Sequence, residues 1–98
     1  MRARVIVTDA PAEILEAGAQ MTRDVLVPAS RAQEGYRGYV ALYDPSTGRS
    51  LAITLWENDE SEVASDAASR ERREEAAKAF GASITSVEKY DVAVAELT

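Results

Sequence analysis

Apolar and polar positions alternate along the chain in a way that marks out strands and helices in turn. Arg4-Val5-Ile6-Val7-Thr8 is short, β-branched and bounded by Asp9-Ala10-Pro11, which predicts a first strand. Pro11 presets a helical φ and Glu13 complements the positive end of a helix dipole, so a helix is expected to begin there. Ile14, Gly18, Met21 and Val25 recur at spacings of 4, 3 and 4, with Leu15, Thr22 and Leu26 beside them, and this stripe faces a core. Pro28 is expected to kink or end the helix, with an irregular or helical last turn to Glu34 and Gly35 at the entry to the next strand.

Tyr36 to Tyr43 and Leu51 to Trp56 are β-branched and aromatic runs joined by Asp44-Pro45-Ser46-Thr47-Gly48, a turn signature that predicts a hairpin. Asp59 and Glu62 have the spacing of a capping box, with Asp standing for Ser or Thr, and open a second helix over about Glu60 to Phe80. Lys78 and Gly81 supply its closing signals. Ile84 to Leu97, with Val87, Tyr90, Val92 and Val94, reads as a long last strand carrying a bulge around Glu88-Lys89.

The order β-α-β-β-α-β, with right-handed crossovers, places both helices on one face of an antiparallel sheet ordered 4-1-3-2. This is an α+β, ferredoxin-like architecture, and 98 residues make it one domain spanning 1–98. A sheet with water on its other face should alternate apolar with polar residues. Val5-Ile6-Val7, Leu51 to Trp56 and Val92 to Ala95 are instead apolar on both parities. The cover expected over the second face is another copy of the chain, so a two-fold homodimer is predicted.

Composition removes more than it adds. With neither Cys nor His there is no thiol chemistry, no Cys/His zinc or haem ligation and no Ser-His or Cys-His pairing. A net charge of −6, from 11 basic and 17 acidic residues, argues against nucleic acid as a partner. Arg37-Gly38-Tyr39-Val40-Ala41-Leu42-Tyr43 has the basic-Gly-aromatic look of an RNA-recognition strand, yet it falls on strand 2, and Ala41 stands where the central aromatic belongs. No apolar run approaches the roughly 20 residues that cross a bilayer, and Thr8-Asp9 cuts off the stretch after the basic start. A cytoplasmic protein without a membrane partner is expected. Asp59, Glu60 and Glu62 suit a helix start rather than a cation site, and no metal is predicted.

Gly35-Tyr36 opening strand 2, the Asp-containing turn and Leu55-Trp56-Glu57-Asn58 before an acidic helix start resemble the antibiotic biosynthesis monooxygenase (ABM) family of dimeric α/β barrels. The resemblance runs from about Arg2 to Glu96. It implies a dimer and, by analogy with cofactor-free members, oxidation of an aromatic phenol. Haem-degrading relatives of that family often carry a His one or two turns past the Trp, where this chain has Ser65 and Asp66. No cofactor is therefore expected.

Trp56, the sole Trp, is the candidate wall of a substrate cleft, or else a core residue at the end of a strand. Tyr39 and Tyr43 share parity with Arg37, opposed to Tyr36, and are candidate donors to a substrate oxygen; Tyr residues also suit a sheet edge or dimer interface, as does Tyr90. Arg70 to Glu75 with Lys78 reads as a solvated helix face, the alternative being one Arg turned inward to receive an anionic ligand. The function expected is a monooxygenase free of metal and flavin, acting on a phenolic or polyketide-type aromatic in a cleft beside Trp56. The alternative is a non-catalytic dimeric module that binds a small ligand or is purely structural, with the cleft filled by Met21, Leu26 and Phe80.

Overall fold

A computed structural model describes residues 1–97. Four strands, β1 (Arg2–Asp9), β2 (Tyr36–Asp44), β3 (Arg49–Trp56) and β4 (Ser83–Asp91), form one antiparallel sheet in the order β2-β3-β1-β4. This is the predicted 4-1-3-2 arrangement read from the other edge. Between β1 and β2 lie a 3₁₀ turn (Ala12–Ile14), α1 (Leu15–Met21), a π-helical turn (Thr22–Leu26) and α2 (Val27–Arg31); α3 (Asp59–Ala79) joins β3 to β4. No helix among the described residues is long and apolar enough to cross a membrane.

Pro28 does not end the first helix. The Val27 N–H reaches back five residues to Thr22 O, and this wider turn starts a new helical segment with Pro28 in its first turn, where a missing donor costs little. At α3 the cap is Asn58 rather than Asp59: its side chain accepts from Ser61 N at 2.8 Å, which places the helix start one residue earlier than expected. The far end closes as its sequence predicts. Gly81 takes φ +65°, Ala82 N donates to Ala77 O at 2.8 Å and Gly81 N donates to Lys78 O at 3.2 Å, the paired bonds of a Schellman motif. In the hairpin turn, Asp44 Oδ1 accepts from both the backbone N and the hydroxyl of Ser46.

β4 stops at Asp91, well short of Leu97. Arg2 opposite Asp91 is the last pair that β1 supplies, and only Val92 N, bonded to Met1 O at 2.9 Å, extends the contact. Val92 to Ala95 therefore lie outside the sheet. The bulge falls at Thr85, not near Glu88, because Val7 pairs with Ser86 and Thr8 with Ile84. Thr85 Oγ1 donates to Val7 O there at 3.1 Å.

A second irregularity changes which tyrosines share a face. Tyr36 pairs with Trp56 and Gly38 with Leu55, so Arg37 is the extra residue. Tyr36 is thereby turned to the same side as Tyr39 and Tyr43, against the parity count. On the helix side, the register sets Arg4, Thr54 and Tyr39 in one row, Ile6, Ala52 and Ala41 in the next, and Thr8, Ser50 and Tyr43 in a third. The opposite face carries Val5, Ile53 and Val40 with Val7, Leu51 and Leu42. Its centre is sheltered, with Ala3, Val7 and Leu55 buried, while Leu42 and Tyr90 on the two edge strands are about half exposed.

Candidate functional site

The layer between sheet and helices has two unlike ends. At one end Trp56 is wholly buried, its Nε1 donates to Thr54 Oγ1 at 2.9 Å, and the Arg4 guanidinium lies 5.3 Å from the ring centroid. Tyr36 meets it edge-on at 6.0 Å between ring centroids. Arg4 projects from the middle of β1 under α3, where its Nη1 donates to Glu62 Oε2 at 2.9 Å, to Glu62 O at 3.1 Å and to Ser65 Oγ at 3.1 Å. Arg73 Nη2 donates to Asp66 Oδ1 at 2.9 Å, and Lys89 Nζ stands 3.2 Å from both Asp66 Oδ2 and Glu62 Oε1. The last contact is an ion pair whose geometry does not meet that of a hydrogen bond, since Glu62 Oε1 has no hydrogen-bond partner among the described residues.

At the other end the sheet presents small residues. Ala41 and Ala52 lie opposite Gly18, Ala76 and Ala77 across the layer, and the space they leave is a cavity of about 190 Å3. Ile6, Leu15, Met21, Leu26, Phe80 and Ile84 give it an apolar body. Met21, Leu26 and Phe80 line the space without filling it. The polar groups that line it include Tyr39, Tyr43, Thr54, Arg4, Arg72 and Arg73, with several Ser and Thr hydroxyls around them.

Tyr39 and Tyr43 thus share one cavity, as their spacing suggested. Trp56 is not among its lining residues. It stands one side chain behind the wall, in contact with Thr54 and Arg4, which do line it. Burial raises the Tyr39 phenol above its ordinary range, an effect partly opposed by the Arg4 and Arg73 guanidinium groups, so Tyr39 is a protonated donor at neutral pH. Burial also pushes on Asp66, but the hydrogen bonds from Arg73 and Lys89 and the charges of Arg73 and Arg4 outweigh it and hold its carboxyl below the usual range.

Arg4, Glu62 and Asp66 were not legible as site residues. The available signal was a charged residue in the middle of an otherwise apolar β1, which a central strand accepts only if a partner waits across the layer. The helix-start acids have such structural partners: Asp59 pairs with Arg2 at 3.3 Å and Glu62 with Arg4. Within the charge run, Arg72 and Arg73 turn toward the cavity, whereas Arg70, Glu71, Glu74, Glu75 and Lys78 remain exposed. No group of three or more Asp or Glu residues among the described residues is arranged to hold a metal ion.

No family model matches the chain. Over 91 residues it is 32% identical to the uncharacterized proteins Rv2557 of Mycobacterium tuberculosis strain H37Rv and MT2634 of strain CDC 1551. The match covers 93% of this chain and 40% of each relative, so the chain spans about two fifths of the length of the curated relatives it matches. Among solved structures, a candidate antibiotic biosynthesis monooxygenase from Deinococcus radiodurans superposes with a TM-score of 0.77 over all of this chain and 98% of that one, at 20% identity. The class that the superposition and the strand order define is that of α+β proteins of ferredoxin-like topology. The resemblance first seen at Gly35-Tyr36 and Leu55 to Asn58 holds at the level of the fold.

Proposed function

We propose that the protein is a cofactor-independent monooxygenase that oxidises a small phenolic aromatic in the cavity lined by Tyr39 and Tyr43, as a cytoplasmic homodimer. The observation that carries this reading is the cavity itself: an apolar chamber left open between sheet and helices, onto which several donors converge. A purely structural module would fill that space. An apolar cavity of about 150 Å3 accepts benzene, so 190 Å3 suits a one- or two-ring phenol better than a larger polycycle.

The chemistry asks little of the protein. An electron-rich phenolate gives electrons to oxygen directly; one oxygen atom enters the ring to make the quinone and the other leaves as water. For 1-naphthol the balance is one oxygen consumed for one 1,4-naphthoquinone and one water. The chain contributes orientation, exclusion of water and donors to the developing anion. Tyr39 and Tyr43 serve as donors, while Trp56 acts from behind by positioning Thr54 and Arg4.

The dimer rests on the open sheet face, where Val5, Val40, Leu42, Leu51 and Ile53 form an apolar surface. Covering it with a second copy would bury on the order of 800 Å2 per subunit, the scale of a stable interface. Sedimentation at micromolar concentration should give about twice the 10.6 kDa chain mass. Oxygen uptake with 1-naphthol, matched mole for mole by naphthoquinone and lost in Tyr39→Phe, is the test of the activity. Saturable binding without oxygen uptake would make the protein a ligand-binding module instead.

A further inference from the structure

The charges beside the cavity do not balance. Arg4, Arg73 and Lys89, whose side chains are 3%, 14% and 33% exposed, face only two carboxylates, those of Glu62 and Asp66, at 0% and 8%. Asp66 accepts one further contact, from Arg70, which is mostly in solvent. One positive charge is thus left over in a sheltered place, in a protein whose net charge is −6. The surplus has an address. Arg73 spends Nη2 on Asp66, and its Nη1, like Arg4 Nε and Glu62 Oε1 in the same cluster, is buried with no hydrogen-bond partner among the described residues. Arg73 also lines the cavity, together with Arg72 and Tyr39. Positive charge held out of water in excess of its carboxylates is costly unless an anion meets it.

We infer that this end of the cavity is an oxyanion subsite whose donors are the Arg73 and Arg72 guanidinium groups and the Tyr39 hydroxyl, and that the ligand is an apolar ring system bearing one negatively charged oxygen group. The apolar body of the cavity receives the rings, and the anion restores the charge balance of the cluster. The inference deepens the reading of the cavity as a phenol site, since a phenolate and an aromatic carboxylate present the same charged oxygen. It does not depend on catalysis. Tyr39 stays protonated and donates, because its own phenol is raised by burial.

The test is calorimetric titration with two probes of nearly equal shape, 2-naphthoate and 2-naphthamide, neither of which the proposed reaction consumes. The wild-type protein should bind the carboxylate at least about tenfold more tightly than the amide. Arg73→Gln should abolish that preference while still binding the amide. Arg73 also holds Asp66, so Arg72→Gln, which breaks no ion pair among the described residues, is made in parallel and should reduce the preference in a fully folded protein. Equal affinity for the two probes, or a preference that survives both substitutions, overturns the subsite. Absence of oxygen uptake with 1-naphthol beside an intact carboxylate preference would sink the monooxygenase and leave the subsite standing.

Discussion

The two ends of the helix–sheet layer use the same strands and the same helices to opposite ends. Around Trp56 the side chains are buried and bonded to one another: an indole N–H to a threonine, a guanidinium to a carboxylate, a serine and a carbonyl, with Arg4 Nε and Glu62 Oε1 left without hydrogen-bond partners among the described residues. Two rows along the helix side of the sheet, at the pair Ala41 and Ala52, the side chains shrink and a chamber opens. Large residues with special chemistry mark the part of this molecule that holds it together, and small ones mark the part with room for a ligand. The contact between them is thin, consisting of Thr54 and Arg4, which touch Trp56 on one side and the cavity on the other.

That contrast is broken most severely at Glu62. Glu62→Gln keeps the shape and removes one of the two buried carboxylates from among three cations, and the loss should be about 3 to 5 kcal/mol in urea denaturation. A change under 1 kcal/mol would mean the cluster is already neutralised some other way. Next in size is Trp56→Phe. It should lower stability by about 1 to 3 kcal/mol, through lost packing and the orphaned Thr54 hydroxyl, as read by thermal or chemical unfolding.

Acid should act on the closed end as well. Asp66 titrates lower in the folded chain than in the unfolded one, so its contribution is complete above the ordinary Asp value of about 4 and is lost as pH falls below it through the folded value. Unfolding followed from pH 6 to pH 2 should show that decline, and Asp66→Asn should flatten part of it. The smallest effect on stability belongs to the open end. Ala52→Leu places a larger side chain where there is space, and stability should move by less than about 1 kcal/mol.

What the sequence disclosed follows the same division. Strand order, the hairpin and the Schellman close at Gly81 came from local patterns, which depend on a few adjacent residues. Tyr39 and Tyr43 were placed together correctly because both lie beyond the bulge; Tyr36 was not, because one extra residue at Arg37 reverses every side chain before it. Pro28 left a kink and an end of the helix both open, and the helical last turn is what forms, carried on by a π turn five residues long that no composition announces. Trp56 drew attention as a rare residue, but only the register with Tyr36 and the contact with Arg4 show that it is packed. The ion cluster joins positions 4, 62, 66, 73 and 89, too far apart in the chain for any spacing rule to connect.

The central claim is that ligand enters at the small-residue end of the layer, in front of Tyr39 and Tyr43, and not at Trp56. Titration of 1-naphthol into wild type, Ala52→Leu and Trp56→Phe, at a temperature where all three are folded, tests it directly. The account predicts saturable one-to-one binding to wild type, loss of most of that binding in Ala52→Leu, and a smaller weakening in Trp56→Phe. Full affinity in Ala52→Leu with binding lost in Trp56→Phe would contradict it.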